Sequence, residues 1–239
     1  MDFRNCYEDE AYAAAYAKLE FPGTYYLAFR DLPELFARHV RGRQALDFGC
    51  GTGRSTRFLG KLGFHAIGVD IAPEMVRHAQ SIDPAGNYHL VRDGDLSQFE
   101  AGRFDLILSA FTFDNVPTQE HKTALLTELR RILAVEGRIA NVVSAPEIYW
   151  HEWVSFSTKD FPENRHARCG DQVRIIVTAL QDRRPAVDVL WPDEEYRDVY
   201  ARARLRVLDV LRPLGHEDEP YEWVSETTTA PWVIYMLGT

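Results

Sequence analysis

Cysteine is scarce in this sequence, and no cysteine pair has the spacing of a redox or zinc-binding motif. The 239 residues contain three cysteines, Cys6, Cys50 and Cys169. An odd number at wide spacing argues against a disulfide framework and a zinc knuckle. The eight histidines show no H-x-x-x-H spacing, so no metal site is predicted. Reduced thiols are typical of the cytoplasm, and we expect this protein to be cytoplasmic.

Positive charge and long apolar runs are also in short supply. Lys and Arg number 27 against 36 Asp and Glu, a formal net charge of -9. Because lysine and arginine supply sequence-independent affinity for phosphate backbones, a nucleic-acid partner is disfavoured. No apolar run approaches the ~20 residues that cross a bilayer, and residues 1–10 are polar and acidic. We therefore expect no membrane insertion or export. We expect the protein to act on a small molecule and to be a monomer or a homodimer.

Strand and helix patterns alternate through the first two thirds of the chain. A composition of 46% hydrophobic residues can bury one core plus a small cap. Alternation of this kind favours a parallel sheet with right-handed crossovers. The predicted strands are 44–48, 64–69, 88–92, 104–110 and 138–143, and the predicted helices are 54–62, 73–80 and a segment capped by Thr118 and ending at Gly137.

The alternation ends at Pro146, where an aromatic-rich stretch begins. Residues 171–180 and 186–190 have the pattern of an antiparallel hairpin, which is foreign to a purely alternating fold. A helix at 192–203 and strands at 205–211 and 232–237 follow. We predict a doubly wound, Rossmann-like α/β fold: a mostly parallel seven-stranded sheet with helices on both faces and a small inserted cap.

A glycine-rich loop joins the first strand to the first helix, in the stretch Leu46-Asp47-Phe48-Gly49-Cys50-Gly51-Thr52-Gly53. The dinucleotide pattern G-x-G-x-x-G requires glycine at position 54 or 56, which hold Arg54 and Thr56. The phosphate-binding pattern G-x-x-x-x-G-K fails because Ser55 stands five positions before Gly60. The remaining pattern, acid-x-G-x-G-x-G, resembles the first motif of class I S-adenosylmethionine-dependent methyltransferases of the small-molecule type.

This resemblance implies a binding site for S-adenosylmethionine, with S-adenosylhomocysteine as product. Asp47 would lie near the ligand's ammonium group, while Gly49, Gly51 and Gly53 would accommodate its carboxylate end at the helix N-terminus. A tight strand-to-helix turn without a ligand is the alternative interpretation.

Further motifs follow the next three strands. Asp70 can accept both ribose hydroxyls, and the family's second motif implies that Ile71 and Met75 sandwich the adenine; Met75 can also be ordinary core filling. The segment 92–96 resembles the family's adenine-edge motif, with Asp95 the better aligned acid, Asp93 the fallback and Leu96 beside them. In the same resemblance the fourth strand, with Ser109 near its end, faces the methyl donor.

Methyl transfer is an in-line displacement at carbon, so alignment and exclusion of water are the main requirements. The loop that carries Phe111, Phe113 and Asp114 follows the fourth strand, where many relatives meet the acceptor, often with a histidine. Asp114 stands about where that histidine would fall. It can orient or deprotonate an amine, or it can form an Asx-type turn before Pro117.

Aromatic residues outside this loop are the other acceptor-site candidates. Trp150 and Trp153 can wall a pocket for a flat or heteroaromatic molecule, with His151 as a general base, or they can form a satellite core. Tyr16 belongs to an aromatic segment that can fold over the donor, although its spacing also suits packing against the core.

The sequence therefore predicts methyl transfer from S-adenosylmethionine to a nitrogen, or an oxygen, of a small aromatic or heteroaromatic metabolite. The alternatives are a non-catalytic S-adenosylmethionine-binding protein and an aminopropyltransferase. We expect a single domain with four parts: an N-terminal helical lid (1–40), the donor-binding half (41–145), a substrate cap (146–190) and a closing helix with strands (191–239).

Overall fold

The structure, a computed structural model, describes residues 22–239. Within them the chain forms a seven-stranded sheet and a separate three-stranded one. The large sheet contains β1 (Gln44–Phe48), β2 (His65–Asp70), β3 (Asn87–Leu90), β4 (Phe104–Ala110), β5 (Leu133–Ser144), β9 (Arg206–Leu211) and β10 (Trp232–Gly238), and the small sheet contains β6 (Phe156–Ser157), β7 (Gln172–Val177) and β8 (Ala186–Val189).

The strand order of the large sheet is β3-β2-β1-β4-β5-β10-β9. All neighbours are parallel except β10, which runs antiparallel to both β5 and β9. The predicted doubly wound, mostly parallel seven-stranded sheet is confirmed. The order reverses between β1 and β4, and ligands of such sheets bind outside the carboxyl ends of the strands at that switch point.

Helices cover both faces of the large sheet, because its central strands are buried on both sides. Leu106 and Leu108 of β4 pack into the core on one face, and Ile107 packs into the core on the other. The helices are α1 (Thr24–Arg30), α2 (Leu32–His39), α3 (Arg54–Lys61), α4 (Pro73–Ile82), α5 (Gln119–Ile132) and α6 (Asp193–Arg202). None of these helices is long and apolar enough to span a bilayer.

Two local expectations had different outcomes. Thr118 caps α5 as predicted, since its hydroxyl accepts a hydrogen bond from the His121 amide at 3.2 Å. The predicted end of that helix at Gly137 is wrong, because the chain becomes extended at Leu133 and pairs with Phe104. Gly137 lies inside β5, where a Cβ atom would approach the carbonyl oxygen of Phe104 to 2.8 Å.

The small sheet forms the insertion after β5. Strands β7 and β8 pair antiparallel from Gln172 opposite Val189 to Ile175 opposite Ala186, so the predicted hairpin is present with shorter strands. Its apolar residues Val173, Ile175 and Val177 share one hydrophobic core with α1 and α2. The insertion is thereby fixed against the sheet face that carries the N-terminal helices.

Candidate active site

A cavity of about 370 Å³ lies at the carboxyl ends of β1, β2 and β4, at the switch point of the sheet. Such clefts are where open α/β sheets bind their ligands. Its lining comes from the glycine loop, the β2–α4 turn and the segment after β4, and includes Gly49, Gly51, Arg54, Asp70, Ile71, Met75, Asp93, Phe111, Thr112, Asn115 and His121.

The three loop glycines serve different purposes. All have positive φ angles, 74° at Gly49, 53° at Gly51 and 79° at Gly53. A Cβ atom at Gly49 would collide with the Thr112 side chain, and one at Gly53 would lie 2.7 Å from the Tyr88 hydroxyl. At Gly51 no atom lies within 4 Å of that position. Gly49 and Gly51 line the cavity. Gly53 does not line it; this glycine is the N-cap of α3 and lies against the Tyr88 ring.

Asp47 lies fully buried under the glycine loop rather than on the cavity wall. Its Oδ2 accepts hydrogen bonds from the hydroxyls of Ser55, at 2.7 Å, and Thr56, at 2.6 Å. Burial raises the pKa of this carboxyl to about 6, against the opposing effect of the two hydroxyls. Within residues 22–239 its Oδ1 has no hydrogen-bond partner. Asp47 therefore ties the loop to α3 and places a buried acid below the cavity.

Asp70, at the end of β2, is held on the cavity wall by two backbone amides. Its Oδ2 accepts from Gly51 N at 2.8 Å, and its Oδ1 accepts from Ala72 N at 2.9 Å. Burial raises its pKa, and the amides oppose that rise. Each oxygen retains a lone pair, so the carboxylate can still accept two hydroxyl groups. Ile71 and Met75 line the same wall.

The adenine-edge prediction divides between two neighbouring acids. Asp93 lines the cavity and approaches His121 Nε2 to 3.0 Å. Asp95 is exposed and instead accepts hydrogen bonds from the amide and hydroxyl of Ser97. Leu96 is buried in the core beneath α5, so neither Asp95 nor Leu96 lines the cavity. The turn over residues 93–97 directs Asp95 away from the site, which makes the fallback residue the better placed acid.

Ser109 and Phe113 also lie off the cavity wall. Ser109 is fully buried in β4, and its hydroxyl has no partner among the described residues. Phe113 is fully buried against Phe48, with 6.1 Å between ring centroids. Ser109 lies on the same side of β4 as Ile107, because strand residues alternate between the two sides of a sheet. Phe113 belongs to the 3₁₀ turn Thr112–Asn115 and packs into the same core as Ile107.

Phe111 stands between the large cavity and a second, smaller one. Its φ angle is 66°, a left-handed conformation that is uncommon for a residue with a side chain and is often associated with functional sites. Its amide donates to Val142 O at 2.8 Å, which fixes the turn at the end of β4. Asn115 also lines both cavities, and its buried Oδ1 has no partner within residues 22–239.

The second cavity, of about 40 Å³, lies between Phe111 and the insertion. Asp114, in its wall, accepts hydrogen bonds from the amide of Ser144, at 3.1 Å, and from the Ser144 hydroxyl, at 2.8 Å. Burial raises the pKa of Asp114. The same wall contains Asp188 of β8, whose Oδ2 accepts from the Tyr149 hydroxyl at 3.0 Å. Its other lining residues include Tyr25, Phe156 and Trp232.

The remaining acceptor-site candidates lie elsewhere. Trp153 is buried in the core and donates to Ile148 O at 2.8 Å, while Trp150 donates to Asn164 O at 3.2 Å. His151 packs edge-on against Trp153 at 6.0 Å. None of the three lines either cavity, because both indoles donate to carbonyls within the insertion and Trp153 packs into the core. Tyr16 lies outside the described residues.

Sequence reasoning missed Arg54 and Asp188. Arg54 is nearly buried, lines the large cavity and lies 5.0 Å from the Tyr25 ring centroid. A cation at the first position of a helix is unfavourable beside the positive end of the helix dipole, so this arginine was a signal for an anionic ligand. The signal for Asp188 was weaker, a lone acid within the predicted second strand of the hairpin.

Comparison with known proteins finds sequence similarity in the part of the chain that contains the glycine loop. Residues 46–141 match the model of a family described as "Methyltransferase domain". The chain is 28% identical over 104 residues to a ubiquinone biosynthesis O-methyltransferase of Xanthomonas oryzae pv. oryzae, covering 42% of each protein. It is 34% identical over 100 residues to a demethylmenaquinone methyltransferase of Tropheryma whipplei, covering 41% of this chain and 40% of that protein. The matches thus span less than half the length of these curated relatives.

Structural similarity extends over almost the whole chain. A crystal structure of an S-adenosylmethionine-dependent methyltransferase from Clostridium acetobutylicum superposes with a TM-score of 0.64 at 13% identity, covering 98% of this chain and 99% of that one. Likeness at this identity concerns the fold, and the matched segment 46–141 contains the glycine loop, Asp70 and Asp93. Residues 46–141 thus match a methyltransferase domain, and the fold around them is similar to that of S-adenosylmethionine-dependent methyltransferases.

Proposed function

We propose that this protein transfers a methyl group from S-adenosylmethionine, bound in the large cavity, to a nitrogen or oxygen of a small molecule that reaches the smaller cavity. One observation carries the proposal: Phe111 and Asn115 line both cavities, so a donor site and an acceptor site share a wall. An in-line displacement requires donor and acceptor to meet across such a boundary.

The large cavity fits the donor group by group. Asp70 would accept the ribose hydroxyls with the lone pairs that its two amide partners leave free. Ile71 and Met75 would cover the adenine, and Asp93 would accept from its amino group. Arg54 would pair with the ligand's carboxylate. Bound S-adenosylmethionine supplies an electrophilic methyl group on sulfur, and the residues of this chain supply its placement.

The acceptor side excludes water and offers carboxylates. Tyr25, Phe156 and Trp232 are almost completely buried and form an apolar wall around the smaller cavity. Asp114 would orient the acceptor. An oxygen acceptor is the second candidate, since one matched relative is named an O-methyltransferase. His151 as a general base is not part of this proposal, because it lies on neither cavity.

Calorimetric titration tests the donor assignment. S-adenosylmethionine and S-adenosylhomocysteine should bind, whereas NAD should not, and a ligand at ~100 times its Kd should stabilise the fold by about 2.7 kcal/mol. Binding of NAD in place of both would refute the proposal. Binding of S-adenosylhomocysteine without methyl transfer to any amine, phenol or alcohol would instead support the non-catalytic alternative.

A further inference from the structure

The smaller cavity brings together two carboxylates from distant parts of the chain. Asp114 comes from the 3₁₀ turn after β4, and Asp188 comes from the hairpin of the insertion. The Ser144 amide and hydroxyl bind Asp114, whereas Asp188 has the Tyr149 hydroxyl as its hydrogen-bond partner. Asp188 keeps part of its surface accessible through the cavity although protein surrounds it.

One cation lies near the two carboxylates of this cavity. Lys122 of α5 is the cation that acts on both carboxylates, but its Nζ donates to the carbonyl of Phe113 and lies 4.7 Å from the Trp191 ring centroid. Within residues 22–239 it makes no ion pair with either carboxylate at 4.0 Å or less. Tyr149 and Tyr196, the other titratable groups facing the carboxylates, are neutral phenols whose pKa values burial raises. The two carboxylates therefore share one neighbouring cation, and neither forms an ion pair with it.

Aromatic rings line the same cavity as the two carboxylates. Tyr25 lies edge-on to Phe156 at 4.9 Å between ring centroids, and Trp232 lies 4.6 Å from Phe111. Ring faces attract cations and cannot hydrogen-bond an anion. The cavity is small, about 40 Å³, and suits a compact head group. A cationic head group meets all three conditions: charge, aromatic walls and size.

We propose that the smaller cavity binds the ammonium group of an amine acceptor, and that Asp188 takes the proton that must leave before methylation. This inference rests on the proposed methyl transfer. It deepens that proposal by choosing nitrogen over oxygen and by adding Asp188 as a catalytic residue. Asp114 would hold the amine from the opposite wall, and Asn115 Oδ1 would accept one of its hydrogens at the boundary with the donor cavity.

The proposed step balances as an acid–base exchange followed by a displacement. The ammonium R-NH3+ gives one proton to the Asp188 carboxylate, which leaves R-NH2 with a free electron pair. That pair forms the new N–C bond as the S–C bond breaks, and the bond electrons stay on sulfur as S-adenosylhomocysteine forms. Burial and the neighbouring Asp114 raise the pKa of Asp188, which makes it a stronger base than an exposed carboxylate.

Binding of matched small probes tests the charge preference. Protein saturated with S-adenosylhomocysteine is titrated with methylammonium and benzylammonium, and with methanol and benzyl alcohol as neutral counterparts of the same shape. We expect each ammonium to bind at least tenfold more tightly than its alcohol. Asp188→Asn should remove that preference, because the amide keeps the shape and the Tyr149 hydrogen bond but not the charge. Asp188→Glu should restore most of it.

The matched control is Asp160→Asn, which removes an exposed carboxylate of the same insertion and should leave the preference unchanged. The affinity of each variant for S-adenosylhomocysteine reports whether its fold is intact. Equal binding of ammonium and alcohol probes, or a preference that survives Asp188→Asn, would overturn the inference.

Turnover separates this inference from the proposed function. Tritiated methyl groups from S-adenosylmethionine should enter primary amines and not the alcohols or phenols of the same carbon skeleton. Methylation of phenols alone would refute the amine site and leave methyl transfer standing. Failure to bind S-adenosylhomocysteine would refute both.

Discussion

Replacement of Asp70 by alanine tests the donor site most directly. Each charge-assisted hydrogen bond contributes about 1.5–3 kcal/mol, and two ribose hydroxyls would be lost as partners. Water reaching this open cavity offsets part of the loss, so we expect a net cost of about 3 kcal/mol. This corresponds to a rise of about 100-fold in the Kd of S-adenosylhomocysteine. Isothermal titration calorimetry measures that change.

The loss of Asp70 also releases the amides of Gly51 and Ala72, so a change in loop shape must be separated from a lost contact. A double-mutant cycle that pairs the Asp70 substitution with a modified ligand separates the two effects. S-adenosylhomocysteine lacking the 2′-hydroxyl should bind the wild type more weakly than the parent ligand, and the two ligands should bind Asp70→Ala almost equally. If the deoxy ligand loses the same factor in both proteins, Asp70 does not contact the ribose.

Asp95→Ala is the matched control for this experiment. Asp95 is an exposed acid that bonds to Ser97 within its own turn. We expect its replacement to change the Kd by less than twofold, whereas Asp93→Ala should raise it about tenfold through the lost adenine contact. The reverse ranking of Asp93 and Asp95 would restore the prediction made from the sequence.

Three further predictions concern the glycine loop and its surroundings. Gly49→Ala should destabilise the fold by about 3 kcal/mol in urea titrations, because of the positive φ and the collision with Thr112. Gly60→Ala, in the last turn of α3 with open space around it, should instead stabilise the fold by about 0.5 kcal/mol. Equal effects of the two substitutions would contradict this. Arg54→Gln should weaken the binding of S-adenosylhomocysteine about tenfold. It should not weaken the binding of methylthioadenosine, which lacks the carboxylate. Equal weakening of both ligands would refute the pairing of Arg54 with the ligand's carboxylate. The native state binds the Asp47 proton more tightly than the unfolded chain, so the contribution of protonated Asp47 to stability falls as pH rises from about 4 to 6. Asp47→Asn should reduce this fall by up to about 3 kcal/mol. An unchanged pH profile of the free energy of unfolding would show that Asp47 is not its source.

Sequence patterns predicted the parts of the site that depend on the local backbone. The glycine loop follows β1 directly, and Asp70 ends the next strand, so strand and turn geometry alone brings both to one edge of the sheet. The two closing strands and the hairpin of the insertion were also predicted from the sequence pattern, although the antiparallel direction of β10 was not. These features are local because each requires the conformation of only a few consecutive residues.

Local pattern did not settle which side chain of a short segment faces the cavity. Asp93 and Asp95 are two positions apart, and the hydrogen bonds of Asp95 to Ser97 decide that Asp93 remains on the cavity side. Similarly, the sequence does not distinguish a tryptophan that lines a pocket from one that packs an insertion, as Trp153 does. A different conformation of one short turn would exchange the side chain that faces the cavity for its neighbour, with little change in local energy.

By itself, the sequence determined the sheet, the glycine loop and the acid at the end of β2, because their residue spacing constrains the backbone directly. Only the tertiary structure decided the lining of the smaller cavity, the proposed acceptor site, where Asp188 and Asp114 share a wall although 74 positions separate them. That meeting depends on how the insertion docks its apolar face onto α1 and the sheet. Docking of this kind results from the summed burial of many side chains, which no single motif in the chain encodes.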